Sequence, residues 1–144
     1  MKIYLDNCCF NRPFDDQTQL TIYLESQAKL YIQHQIINKE YELVWSYILE
    51  YENKQNPYEI RRNAIIGWKS IADEIVVENE SILEFAEQLF SKGIKAKDAL
   101  HIASAVYSGC DYFITTDKKL LNTGIKEIKI CNPIDFIGEM EGRV

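Results

Sequence analysis

Asp6, Glu50, Asp98 and Asp117 come from four separate segments, and each lies beside the end of a short apolar run or in the helical pattern that follows one. Carboxylates gathered at one rim repel each other and shift toward protonation unless a cation lies among them. An all-oxygen donor set selects a hard ion, so Mg²⁺ or Mn²⁺ held by a few carboxylates and several waters is the expected occupant. Asn7, Thr115 and Thr116 are placed to orient ligands and waters around it. Such a site suits phosphodiester hydrolysis, in which the metal lowers the pKa of a bound water and neutralises charge building on the phosphate. No protein nucleophile is required. The chain holds no GxSxG, Walker A, HExxH or GxGxxG motif that would argue for other chemistry.

The least secure of the four is Glu50, because Glu52 lies two residues on in the same helical pattern. At ~3.6 residues per turn the two point about 200° apart, so only one can face the rim. A capping box opened by Ser46 would need its acid at the position of Leu49, which leaves Glu50 free to reach back; an i, i+4 ion pair with Lys54 is its alternative use. Glu50 is the expected site residue. His101 follows Asp98 at i+3 on one helical face, where it either supports the acid or touches a phosphate, and support is the commoner role. His34 lies far from the acids in a helical setting and reads as structural.

The elements that must position these residues are legible as apolar periodicity. Ala96, Ala99, Leu100, Ala103 and Val106 predict a helix over 96–108, with Gly109 at its C′ position. Tyr112 to Thr115 then reads as a buried parallel strand, apolar on both faces. Ile3 to Leu5, Leu43 to Trp45, Ile75 to Val77 and Ile128 to Ile130 supply further strands. Asn7 to Pro13 is expected as a polar turn, and Asp15 or Asp16 as the N-cap of a long helix through Leu20, Leu24, Ala28, Tyr31, Ile32 and Ile36. Pro57 is expected to open another helix with Arg61 and Arg62 exposed, Ser81 to Lys92 to form an amphipathic helix closed by Gly93, and Asn132–Pro133 to start the last one. Strands alternating with helices predict an α/β fold whose central parallel sheet is flanked by helices on both faces, as one domain over residues 1–144.

Composition narrows the class. A 47% hydrophobic content with few Gly and Pro excludes a disordered or collagen-like chain. Nothing approaches the ~18 apolar residues of a membrane span, and the N-terminal apolar run is too short for a signal peptide, which places the protein in the cytoplasm. Cys8, Cys9, Cys110 and Cys131 form no CxxC pair, so reduced thiols are expected rather than zinc, with a redox switch at Cys8 as the lesser reading. The net charge of −6 argues against a basic nucleic-acid face. Yet Lys92, Lys95 and Lys97 precede Asp98, and Lys118 and Lys119 follow Asp117, so cations bracket the acids. Arg12 could hold a phosphate through its planar fork or pair with Asp15 or Asp16.

Asp6 after the first strand, Glu50 after the second, the KAKDALHIASA segment carrying Asp98 and the FITTD segment carrying Asp117 together resemble the PIN-domain nucleases. The likeness spans nearly the whole chain in order. It implies a PIN fold and Mg²⁺- or Mn²⁺-dependent cleavage of single-stranded RNA, with Asp6, Glu50, Asp98 and Asp117 as the acidic cluster. Thr115 is implied as the polar companion of the last acid. From the residues themselves, Asn7 is expected as an auxiliary residue and Arg12 and Lys118 as weak substrate contacts. Relatives of this size include VapC-like toxins, frequently homodimers silenced by a small antitoxin. Cys8 stands where relatives often carry Ser or Asn. The alternative is a non-catalytic PIN-like module that binds RNA or protein without cutting.

Overall fold

In the first strand, β1 (Lys2–Leu5), Ile3, Tyr4 and Leu5 are all buried, although successive strand residues face opposite sides of a sheet. Both faces of this strand are therefore covered, as a central parallel strand requires. The computed structural model, which describes residues 1–142, has fourteen elements including this strand. After β1 come α1 (Asn7–Asn11), a 3₁₀ turn (Arg12–Phe14), α2 (Leu20–Ile37), β2 (Glu42–Ser46), α3 (Tyr47–Lys54) and α4 (Glu59–Ile71). The second half runs β3 (Glu74–Val76), α5 (Glu80–Ser91), α6 (Ala96–Tyr107), β4 (Tyr112–Ile114), α7 (Lys118–Leu121), β5 (Lys129–Cys131) and α8 (Pro133–Met140).

All five strands are parallel, in the order β3-β2-β1-β4-β5. The chain steps outward from β1 through β2 to β3, then crosses back to β4 and β5. The strand order thus reverses between β1 and β4, and the crevice beyond their carboxyl ends is where open α/β sheets hold their sites. Phe113 of β4 stacks on Tyr4 of β1 with ring centroids 5.2 Å apart. Trp45 of β2 meets Phe10 of α1 edge-on, and Phe136 of α8 meets both Tyr41 and Tyr112 in the same way. At the opposite end of the sheet the Lys2 ammonium ties Glu74 at 2.9 Å to the Ser108 carbonyl at 2.8 Å. Among the described residues, no helix is long and apolar enough to cross a membrane.

Several boundaries differ from expectation. Asn7 to Asn11 is helical, because Asp6 caps that turn, and Pro13 is accommodated in the 3₁₀ turn. Neither Asp15 nor Asp16 caps α2: Asp15 is held by Arg12 and Arg61, Asp16 by Thr18, and Gln19 occupies the cap position. Pro57 precedes α4, whose cap is Tyr58, and the helix begins at Glu59. Arg61 and Arg62 are half-buried: Arg61 binds Asp15 and the Phe14 carbonyl, and Arg62 binds the Asn56 carbonyl. Asn53 is buried in α3 and bonds the Arg62 carbonyl.

Helix α6 ends as its sequence requires. Gly109 at φ +75° lets Gly109 N–H donate to the Val106 carbonyl and Cys110 N–H to that of Ala105, the paired bonds of a Schellman cap. A Cβ on Gly109 would meet no neighbouring atom, and the same is true of Gly67 inside α4, which has ordinary helical backbone. The two glycines therefore differ in backbone conformation alone. In urea unfolding, Gly109→Ala is expected to cost about 1 kcal/mol through its left-handed φ, and Gly67→Ala to add about 0.5–1 kcal/mol through restricting the unfolded chain.

Candidate metal centre

Strand register builds the centre. Leu5 pairs with Ile114, and the next step of the ladder is Asp6 N–H donating to the Ile114 carbonyl at 2.9 Å, so Asp6 and Thr115 emerge side by side. The Thr115 hydroxyl, fully buried, donates to Asp6 Oδ2 at 2.8 Å and accepts the Asp117 N–H at 3.1 Å. One hydroxyl thus links the first acid to the last. Asp6 Oδ1 accepts the Asn7 N–H at 2.8 Å, which starts α1 and fixes the carboxylate from its other side. Asp117 caps α7 by accepting the Lys119 N–H at 2.9 Å. The Cys8 thiol lies 3.5 Å from Asp6 Oδ2 and 3.4 Å from the Thr115 hydroxyl.

Asp98, in the first turn of α6, is half-buried and completes this side. Burial, then the charges of Asp6 and Asp117, raise its pKa, so these three carboxylates act on one another across the crevice. Glu52 of α3 also contributes to that rise. The Glu52 carboxylate is bonded to Nε2 of His101, an atom that lies 4.0 Å from Asp6 Oδ1. Donor atoms of Asp6, Glu52 and His101 fall within 4.8 Å of one another, close enough to share an ion.

His101 is buried beneath the carboxylates and has no free ring nitrogen. Its Nδ1 lies 2.6 Å from the Tyr4 hydroxyl, which lies 2.6 Å from the Ser46 hydroxyl. Ser46 also accepts the Leu49 N–H and so caps α3. A continuous chain, Ser46–Tyr4–His101–Glu52, therefore runs from the end of β2 through β1 to α6 and back to α3. Burial pushes His101 toward the neutral form, but the Glu52 hydrogen bond and the charges of Asp6, Glu52 and Asp98 outweigh it and raise its pKa. Burial likewise opposes charge on Glu52, and the His101 contact outweighs it, leaving the Glu52 pKa lowered. With both ring nitrogens engaged, His101 serves as a support for Glu52.

The four expected acids do not all converge. Asp6, Asp98 and Asp117 do, whereas Glu50 pairs with Lys69 at 2.7 Å and Lys54 at 3.7 Å, and the Lys69 contact lowers its pKa. Glu52, not Glu50, faces the rim. The ~200° separation left room for only one of them, and Lys69 of α4, a tertiary neighbour, took the other. Arg12 is held by Glu25 at 2.9 Å and Asp15 at 3.1 Å, the pairing reading of its fork, although Glu25 was not foreseen. Asn7 contributes its backbone N–H to Asp6, while its side-chain oxygen faces the Asn11 amide. Lys118 is exposed in the first turn of α7, and Lys95, Lys97 and Lys119 are also exposed beside the acids. Ser46 was expected only as a helix cap, and Tyr4 only as part of an apolar strand; their link to His101 was missed. The donor set is rich in carboxylate oxygen and mutually repulsive, which fits a hard divalent cation.

Among curated proteins, none matches the chain significantly. The fold is similar to solved structures at low identity: VapBC2 of Rickettsia felis bound to a promoter DNA fragment (15% identity, TM-score 0.59, covering 92% of this chain and 98% of that one), and FitAcB of Neisseria gonorrhoeae (16%, TM-score 0.61, 91% and 97%). VapBC-1 of nontypeable Haemophilus influenzae is similar too (18%, TM-score 0.56, 92% and 98%). The sequence profile described as "PIN domain" matches residues 3–126, from β1 to just before β5, a stretch that includes Asp6, Glu52, Asp98, Thr115 and Asp117. The chain belongs to the PIN-domain family.

Proposed function

We propose that this chain is a divalent-metal-dependent endoribonuclease that hydrolyses phosphodiester bonds in single-stranded RNA. The observation that carries the reading is the meeting of Asp6, Asp98 and Asp117 at the crevice where strand order reverses, with Glu52 and His101 beside them. Asp6, Asp98 and Asp117 would hold Mg²⁺ or Mn²⁺, and Glu52 takes the role first given to Glu50. Such an ion, when bound, supplies an acidified water and positive charge for the phosphate.

The chain's own groups do the positioning. The Thr115 hydroxyl and the Asn7 N–H fix the two oxygens of Asp6, and His101 holds Glu52 toward the crevice. Exposed Lys95, Lys97, Lys118 and Lys119 offer phosphate contacts along the approach, which steer a strand without reading its bases. Arg12, paired with two carboxylates, has no part in this. We further assign the chain to the toxin half of a toxin–antitoxin pair that works as a homodimer, with a small antitoxin as partner; likeness to the VapBC and FitAcB assemblies supports that assignment.

Purified protein is expected to cleave a mixed RNA pool with Mg²⁺ or Mn²⁺ and not with EDTA, and Asp98→Asn to reduce the rate about 10²-fold or more. Metal-independent cleavage would sink the reading. No cleavage together with no Mn²⁺ binding by calorimetry would favour a non-catalytic binding module. The two glutamates give a sharper test. Glu52→Gln should lower the rate about 10²-fold, whereas Glu50→Gln should leave it within about twofold and lose at most about 1 kcal/mol of stability from its partly exposed pair. The reverse pattern in kinetics and urea unfolding would return Glu50 to the site.

A further inference from the structure

Away from the acidic rim, Lys29 of α2 is the one buried lysine among the described residues, with 3% of its surface exposed. Its ammonium bonds the Gln33 side-chain oxygen and lies over the rings of Phe10, at 5.3 Å, and Trp68, at 5.2 Å. No carboxylate pairs with it among the described residues. An ammonium carries three donors, and here one has a partner. Two ring faces return only part of the hydration lost on burial. Burial accordingly lowers the Lys29 pKa to about 8. Arg12, Arg61 and Lys2, by contrast, each meet a carboxylate.

Lys29 also lines an open pocket of about 130 Å³ between α2 and α4. Lys29, Phe10 and Trp68 form its floor, and exposed Phe14, Leu30 and Ala64 form its mouth. At ~30 Å³ per water the space suits about four heavy atoms, a carboxylate and its neighbouring carbon, with the rest of a short stem lying at the open mouth. The walls are apolar and offer few donors besides Lys29 and Gln33, which suits a planar monoanion and not a phosphate dianion.

We propose that this pocket binds a carboxylate on a short apolar stem, with the charge at Lys29 Nζ between the rings of Phe10 and Trp68 and the stem against Phe14 and Leu30. The carboxylate comes either from a small free acid or from an acidic side chain of a polypeptide, and both would make the same contacts. This site is independent of the nuclease reading and would survive its failure.

The test is NMR of the full ¹⁵N-labelled chain, following the Trp68 indole N–H while butyrate or butyramide is added. In parallel, an apolar hexapeptide with a central Glu is compared with its Gln counterpart. A saturable shift with butyrate supports the proposal and assigns a free acid. Saturation with the Glu peptide alone supports it and assigns a polypeptide source. Lys29→Met, or Lys29→Gln should that variant fold poorly, is expected to weaken binding at least tenfold, and Asp98→Asn to leave it unchanged. Equal responses to acid and amide, no saturation with butyrate or the Glu peptide, or full binding by the folded Lys29 variant would overturn it.

Discussion

The parallel pairing of β1 with β4 is the constraint on which the rest of the centre depends. Once Leu5 lies opposite Ile114, the next residues of the two strands have to emerge together, and those residues are Asp6 and Thr115. Their hydrogen bond, and the one from the Asp117 N–H to the same hydroxyl, turn a backbone register into a side-chain arrangement. A slip of one residue would turn each side chain to the opposite face and separate the set. The buried aromatic stack of Tyr4 on Phe113 in the same strand pair resists such a slip.

Gathering carboxylates in one half-buried crevice has an electrostatic cost, and burial followed by the charges of Asp6 and Asp117 raises the pKa of Asp98. The fold offsets part of it from within. His101 sits beneath the cluster, and its cationic form is favoured by Glu52, Asp6 and Asp98 together. Asp6 and Asp117 each accept a backbone N–H hydrogen bond that fixes the carboxylate in place. The Ser46–Tyr4–His101–Glu52 chain shows how a buried polar path can be fully partnered, each member meeting the next. It also ties the cap of α3 to the crevice, so that the helix carrying Glu52 cannot turn without breaking it.

Charge placement explains how an acidic chain still exposes cations beside its crevice. The net charge of −6 counts carboxylates that lie inside the crevice, while Lys95, Lys97, Lys118 and Lys119 lie exposed at its edges. Cations elsewhere are consumed by structure: Arg12 and Arg61 fasten the 3₁₀ turn through Asp15, and Lys69 takes Glu50. Lys29 belongs to neither group, buried yet unmatched by a carboxylate among the described residues.

The strand and helix order was legible in the chain because periodicity and punctuation agree: apolar runs of strand length, Gly93 and Gly109 in left-handed caps, and Asn132–Pro133 at a helix start. Asp6, Asp98 and Asp117 were legible for the same reason, since each adjoins an element boundary, and a strand's end fixes where the next side chain lies. Local signals failed where a distant residue decided the outcome. Asp15 has the form of a cap but is drawn off by Arg12 and Arg61, and Asn7 to Asn11 reads as a turn yet is held helical by Asp6. The sequence by itself determined that one of Glu50 and Glu52 faces the rim, because helix geometry separates them. Only the tertiary structure decided which: α3 buries Ile48, Leu49 and Asn53, and with that face turned inward Glu52 meets His101 while Glu50 is left to Lys69, partners that come from remote parts of the chain.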